Sequence, residues 1–488
     1  MEPPLKHSLP IASALVLVLA ACSPDTAVTD AAASAETESA SELSMIEAGI
    51  YPSVSIEGEL RQTLPERMAH YGVVEVSAAV YRDGELDWAK AWGGDADADT
   101  LFQAASLSKA VAATGIVMLA MERGVSLDAD ISGSLSGVDM AVLNRDGVEI
   151  TLRGLLSHTN GATVGGFPGY AAGEPVPSNL EVVTGSDRTN TPAVTIEANP
   201  DGAFSYAGGG FQLAQLWAEQ ASGEDFAAMM DRLVLDPVGM TRSTFSQPLS
   251  EAIVEEGNIG LAYNWSPDPI EGGWHTYPEQ AAAGLWTTPR DYGRFVMALT
   301  GAMKGEADTG ISAEAAKEIT QAVSDTYGLG IGVEEKNGEA VLRHSGSNEG
   351  YKSYFEAYPE RGDAIVVMSG SAGSFPLNAD ITRTAKIAYD WPISPLRTAT
   401  RYPLSAEELA AFAGRYAQPG VEGRDIVIRV NAPNLTFVSS YGAAFTLIPT
   451  AADTFMDPDD GQTGTFAETD GVMTLTADDT VFQRIADE

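Results

Sequence analysis

The sequence predicts an α+β fold: an antiparallel sheet flanked by helices, with an inserted and mostly helical subdomain, followed by an all-β barrel-like domain. Three observations carry that expectation. Strand patterns stand at both ends of a globular stretch with helical patterns between them. A long helix, apolar on every face, follows the first two strands. Residues 413–488 break into short strands separated by Asn, Asp, Gly and Pro turns.

Taken in order, the chain opens with Lys6 ahead of an apolar run from Ile11 to Ala21, too short to span a bilayer but suited to the core of a signal peptide. The run ends Leu19-Ala20-Ala21-Cys22. Cys22 is the only cysteine, which excludes disulfides within the chain and a catalytic cysteine elsewhere. Residues 1–21 are read as the signal peptide. Residues 22–45 are rich in acids and lack aromatic residues, so they are read as a disordered tether reaching roughly 25 Å.

The globular part is read as residues 46–396. An amphipathic helix is expected from Leu60 to His70, then an alternating strand with Val74, Val76, Ala78 and Val80 on one face. Asp83-Gly84 supplies a hairpin turn into a second strand carrying Leu86, Trp88 and Trp92. The apolar helix of residues 102–124 comes next. Residues 130–275 form the Gly- and Pro-rich inserted subdomain, with helices near 209–222 and 224–234. Helices near 290–302 and 312–323 lead to strands at about 328–334, 340–344, 351–358 and 363–369, and to a helix over 377–390. Residues 397–488 are read as the C-terminal β domain. It holds a short helix near Ala406–Phe412 and the strands DIVIRV, LTFVSS, FTLIP, VMTLTA and TVFQRI.

The chain has 488 residues, 68 acidic against 28 basic, and a formal charge of −40, which argues against binding nucleic acid or docking electrostatically on anionic lipid. No Walker loop, HExxH pair or G-x-S-x-G elbow is present, and no metal or cofactor is expected.

The chemistry begins with one oddity. The apolar helix keeps a single cation, Lys109, between Ser108 and Glu122, although an unpaired ammonium in a packed place is costly. Ser106 lies three residues earlier, on the same helical face. Ser-x-x-Lys is therefore a candidate nucleophile with its activator; equally, Ser106 could cap the helix while Lys109 snorkels to water. A catalytic serine needs more: a group to shuttle its proton, donors for an oxyanion, and an oriented wall. Tyr206 stands in the Gly-rich stretch FSYAGGGFQL, and His344-Ser345-Gly346 ends a predicted strand in VLRHSGSNEGY. His70, His158 and His275 are read as structural or surface residues.

Ser106-x-x-Lys109, Tyr206-Ala207-Gly208 and His344-Ser345-Gly346 resemble, in order, the three boxes of the serine β-lactamase-like hydrolases, on the side of the class C β-lactamases, D-aminopeptidases and related esterases. LLSHTNG at 155–161, DPVGMTRSTF at 236–245 and AAAGLWTTPRDYGRF at 281–295 resemble further landmarks of that superfamily. The likeness covers roughly residues 50–395; the C-terminal domain is similar to lipocalin-like domains that some relatives carry. The resemblance implies that Ser106 is acylated, that Lys109 and Tyr206 move its proton, and that the backbone N–H groups of Ser106 and Ser347 hold the oxyanion. His344 and Gly346 would line the substrate. Leu19–Cys22 resembles the bacterial lipoprotein box, which implies lipidation at Cys22 and a periplasm-facing anchor, with an outer-membrane destination favoured by Ser23.

Two departures bear on the substrate. Gly208 stands where β-lactamases and carboxypeptidases have an Asn that grips a substrate amide. His344 stands in place of a permanently charged lysine; an ordinary imidazole is neutral near pH 7 and becomes cationic only as pH falls. The expectation is a lipid-anchored serine hydrolase acting on an ester, small amide or D-peptide. A true β-lactamase or D-alanyl carboxypeptidase and a catalytically idle envelope binding protein are the alternatives.

Overall fold

The computed structural model describes residues 41–486 apart from 200, 422, 441–443 and 470; the signal peptide and nearly all of the tether lie outside the described residues. A helix over 41–48 begins inside the segment read as tether. Ile46 within it and Ile50 just after it are fully buried against the sheet.

The central sheet has six strands among the described residues, in the order Glu85–Trp92, Val76–Arg82, Asp363–Ser369, Tyr351–Tyr358, Glu339–Asn348 and Gly332–Lys336. All neighbours are antiparallel. The two ends of the chain meet where Val80 faces Ile365 and Ala78 faces Val367. Both sheet faces are covered, so Val76–Arg82 is buried along nearly its whole length. Val76, Ala78 and Val80 pack with Leu377 and Ile381 of the helix Phe375–Ala388. Ala79 and Tyr81 point the other way, into the larger core around the helix Ser108–Arg123. That alternation is the period of a strand clasped between two helical layers.

Ala105–Arg123, the helix Ser108–Arg123 with the turn before it, is long and apolar enough to cross a membrane by composition, but most of it is buried inside the domain, and it stops at Gly124 with φ +67°. At Gly115 a Cβ would lie 2.4 Å from Met230 Sδ, so glycine lets this helix meet Phe226–Met230 of the inserted subdomain closely. The subdomain's main helix is Gly208–Ser222.

The C-terminal strands Gly414–Ala417, Asp425–Asn431, Asn434–Val438, Ala444–Pro449, Thr454–Met456, Thr463–Thr469, Val472–Ala477 and Thr480–Ile485 follow one another around a closed antiparallel barrel. Its interior is filled by Leu409, Tyr416, Ile428, Leu435, Phe455 and Phe466, as a barrel of this size allows. It meets the helix Leu64–Tyr71 through Asp459. Arg67 and Tyr71 of the helix Leu64–Tyr71 donate to its Oδ1 at 3.0 and 2.8 Å, and His70 Nε2 lies 3.0 Å from Oδ2. A short parallel pair, Val54–Ile56 with Arg397–Ala399, ties the linker down beside it.

Candidate active site

The site is built at the start of the apolar helix. Ala105 has φ +51°, a left-handed conformation that costs a residue with a Cβ about 1–3 kcal/mol, and it makes the sharp turn that leads into Ser106. Four hydrogen bonds hold the turn. Ala104 N donates to Leu285 O (2.8 Å) and Leu285 N to Ser108 Oγ (3.0 Å). Ser108 Oγ donates to Ala105 O (2.5 Å) and Ser353 Oγ to Ala104 O (2.7 Å).

Lys109 is 2% exposed, and its Nζ donates to Ser106 Oγ at 3.1 Å and to Ala282 O at 2.7 Å. The ammonium also sits 5.0 Å from the ring centre of Tyr206 and 5.6 Å from that of Phe211. The buried cation therefore keeps oxygen acceptors and aromatic faces in place of water. It does not snorkel to the surface.

Tyr206 is 38% exposed, at the mouth of the site. Its segment is fastened by His158, which the sequence reading left as a structural or surface residue. Ser205 N donates to His158 O (2.8 Å), Ala207 N donates to His158 Nδ1 (3.1 Å), and the His158 ring lies 4.3 Å behind that of Tyr206. Accepting at Nδ1 fixes the neutral tautomer with the proton on Nε2. Burial, reinforced by the charge of Lys109, holds the His158 pKa well below the ordinary histidine range. His275 stands apart, with Nδ1 3.0 Å from Pro168 O; His70 belongs to the barrel contact.

The third box requires a correction. His344 Nδ1 lies 2.7 Å from Ser345 O and Nε2 lies 2.9 Å from Tyr327 Oη, so Nδ1–H donates to the carbonyl and Nε2 accepts from the phenol. Both ring nitrogens are engaged. Burial, with a further push from Lys109, lowers the His344 pKa to about 3, which weighs against the expected gain of positive charge in mildly acidic solution. Tyr327, which the sequence reading passed over, is the residue that locks this imidazole. Its ring is also 5.1 Å from Phe204 and 5.2 Å from His158.

Gly346 brings the strand Glu339–Asn348 against the Ala104–Ser106 turn; a Cβ there would fall 2.2 Å from Ser353 Oγ and 2.4 Å from Ala104 O. Pairing with Gly332–Lys336 ends at Arg343, which leaves the strand edge at 344–348 open beside the turn. Gly208 is explained by Phe167, whose Cε2 would stand 2.7 Å from a Cβ at that position. The place of an amide side chain is taken by an aromatic ring. Beyond Ser347 opens a cavity of about 540 Å³, walled by Phe167, Pro168, Trp265 and Tyr277.

The profile of the Beta-lactamase family matches residues 60–389. The chain belongs to the Beta-lactamase family. It is a serine hydrolase of that fold. Among solved structures it is similar to the octameric penicillin-binding protein homologue of Pyrococcus abyssi, at 19% identity and TM-score 0.56 over 86% of this chain and 98% of that one. It is similar also to the D-amino acid amidase of Ochrobactrum anthropi SV3, at 18% identity and TM-score 0.53 over 72% and 98% of the two chains. A mutant class C β-lactamase aligns at 18% identity and TM-score 0.50 over 67% of this chain and 95% of its own.

Proposed function

We propose that this family member cleaves an ester, a small amide or a D-amino-acid peptide through an acyl-enzyme on Ser106. The observation that carries the reading is the buried Lys109, with Nζ 3.1 Å from Ser106 Oγ and 5.0 Å from the Tyr206 ring. A pocket that merely bound ligand would gain nothing from a desolvated cation on a serine, which weighs against the idle binding protein.

In this reading Tyr206, acting as the phenolate, takes the proton of Ser106 as Oγ attacks the carbonyl, with the Lys109 ammonium steadying the negative charge that passes between them. The backbone N–H groups of Ser106 and Ser347 hold the oxyanion. The proton then goes to the leaving group on the Tyr206 side, and water repeats the sequence to release the acid. The neutral, engaged His344 and the ring of Phe167 over Gly208 disfavour penicillin-type substrates that need a cation and an amide grip on those two sides. The likeness to a D-amino acid amidase supports the amide branch.

The test is kcat/KM for p-nitrophenyl butyrate and D-alanine p-nitroanilide. Ser106→Ala is expected to abolish both and Tyr206→Phe to lower both by about 10²–10⁴-fold. Full activity in Tyr206→Phe would require another base. We further propose that Cys22 is lipidated and anchors the protein facing the periplasm, at the outer membrane. Cys22→Ala is expected to move it into the soluble fraction, and a variant that still sediments with membranes would refute the anchor.

A further inference from the structure

We infer that Lys352 reads the acyl side of the substrate and favours an acyl group that ends in a negative charge. The inference rests on the Ser106 acyl-enzyme reading and deepens it. The direction of the acyl group follows from the proton path. The leaving group must lie on the Tyr206 side, where it receives its proton. The open strand edge runs from His344, whose ring is 6.2 Å from that of Tyr206, away towards Asn348. The other substituent of the carbonyl is thereby directed past Ser347 into the 540 Å³ cavity, where Lys352 is part of the wall.

Lys352 faces Ser347 directly in the strand register, and its Nζ donates to Ser347 Oγ at 2.7 Å. It also lies 5.4 Å from the ring centre of Phe375. Lys90, Lys336 and Lys386 each rest on a glutamate, whereas Lys352 rests on a neutral hydroxyl. An ammonium has three donors, and one hydroxyl accepts only one of them. Burial pushes the Lys352 pKa down, with Glu349 nearby pulling the other way, so the site carries the cost of a partly desolvated cation. A substrate carboxylate would offset that cost with charge-assisted hydrogen bonds.

Glu349 is the opposing charge in the same cavity. Its Oε1 accepts from Asn264 Nδ2 at 2.8 Å, and its backbone N donates to Tyr277 Oη at 2.9 Å, so it is held towards Asn264. It weakens an incoming carboxylate without occupying Lys352. The surroundings are aromatic and fit the methylene chain of a dicarboxylic half-ester. The cation that His344 fails to supply on the leaving-group side is thus offered on the acyl side by the neighbouring strand.

The experiment compares mono-p-nitrophenyl adipate with p-nitrophenyl hexanoate, which differ in the terminal carboxylate. The readout is the ratio of their kcat/KM values, so any effect common to both substrates cancels. Lys352→Met is expected to lower the adipate-to-hexanoate ratio by about tenfold or more, Lys352→Arg to keep it near wild type, and Glu349→Gln to raise it. The wild-type ratio should also fall with added salt, as screening of an ion pair requires. An unchanged ratio in Lys352→Met and Glu349→Gln would overturn the role of Lys352. Ser106→Ala is run beside them: if it turns over both esters, the acyl-enzyme reading fails, a result distinct from an unchanged ratio with Ser106 essential.

Discussion

Burial disfavours the charged forms of His158, His344 and Glu279 around the site, and Glu279 shows the cost most clearly. It caps the short helix Gln280–Ala283, whose Ala282 carbonyl holds Lys109, and both its carboxylate oxygens are buried with no hydrogen-bond partner among the described residues. Burial raises its pKa to about 8. A carboxyl raised above its unfolded value favours the folded state at low pH, and that contribution is lost as pH climbs from about 4.5 to about 8. Glu279→Gln cannot titrate. Its melting temperature relative to wild type is therefore expected to rise across that window and level off above it, read by calorimetry at several pH values; a difference independent of pH would contradict a neutral buried Glu279.

At the scale of elements, three glycines set how closely the helix Gly208–Ser222 lies on its neighbours. Gly209 and Gly210 let the helix Gly208–Ser222 lie on backbone, since Cβ atoms there would approach Thr163 O at 2.2 Å and Leu155 O at 3.0 Å. Gly208 makes room for Phe167, the one side chain a Cβ there would crowd below 3 Å. Gly208→Asn is thus expected to lower both stability and kcat/KM, while in a Phe167→Ala background the same asparagine should be tolerated. The double-mutant cycle for melting temperature and kcat/KM should show coupling of about 1 kcal/mol or more. Additive effects would mean that Phe167 is not what excludes a side chain there.

For the whole molecule, the catalytic domain and the barrel share the charged contact of Arg67, His70 and Tyr71 with Asp459. Arg67 keeps Asp380 at 2.6 Å, so losing Asp459 loosens the docking without stripping the guanidinium. All seven tryptophans lie at or before Trp391, so their emission reports the catalytic domain, whereas far-UV circular dichroism reports both. In urea the two signals should coincide in wild type and separate in Asp459→Ala, because the barrel loses its anchor. Coincident curves in the variant would place the coupling elsewhere.

How much of this was legible follows from range. The hairpin at Asp83-Gly84, the all-apolar helix and the order of the three boxes are local patterns, and each is present in the fold. The barrel was legible as a class, but Gly414–Ala417, Thr454–Met456 and Thr463–Thr469 escaped notice. In the last of these, Gly464 and Phe466 are the buried residues, and exposed threonines and acids around them blur the apolar alternation. The contacts of His158, Tyr327 and Lys352 are illegible for a different reason. Each looks ordinary in its own stretch and gains its partner only from residues brought beside it by the fold: Ala207 for His158, in keeping with its reading as a structural residue, His344 for Tyr327, Ser347 for Lys352.

The central claim is a nucleophilic Ser106 served by Lys109 and Tyr206, and covalent labelling tests it most directly. Intact-mass analysis after treatment with a fluorophosphonate should show a single adduct in wild type, mapped by peptide sequencing to Ser106. The adduct should be absent in Ser106→Ala and much slower to form in Tyr206→Phe. Labelling of Ser106→Ala at the wild-type rate would contradict the account.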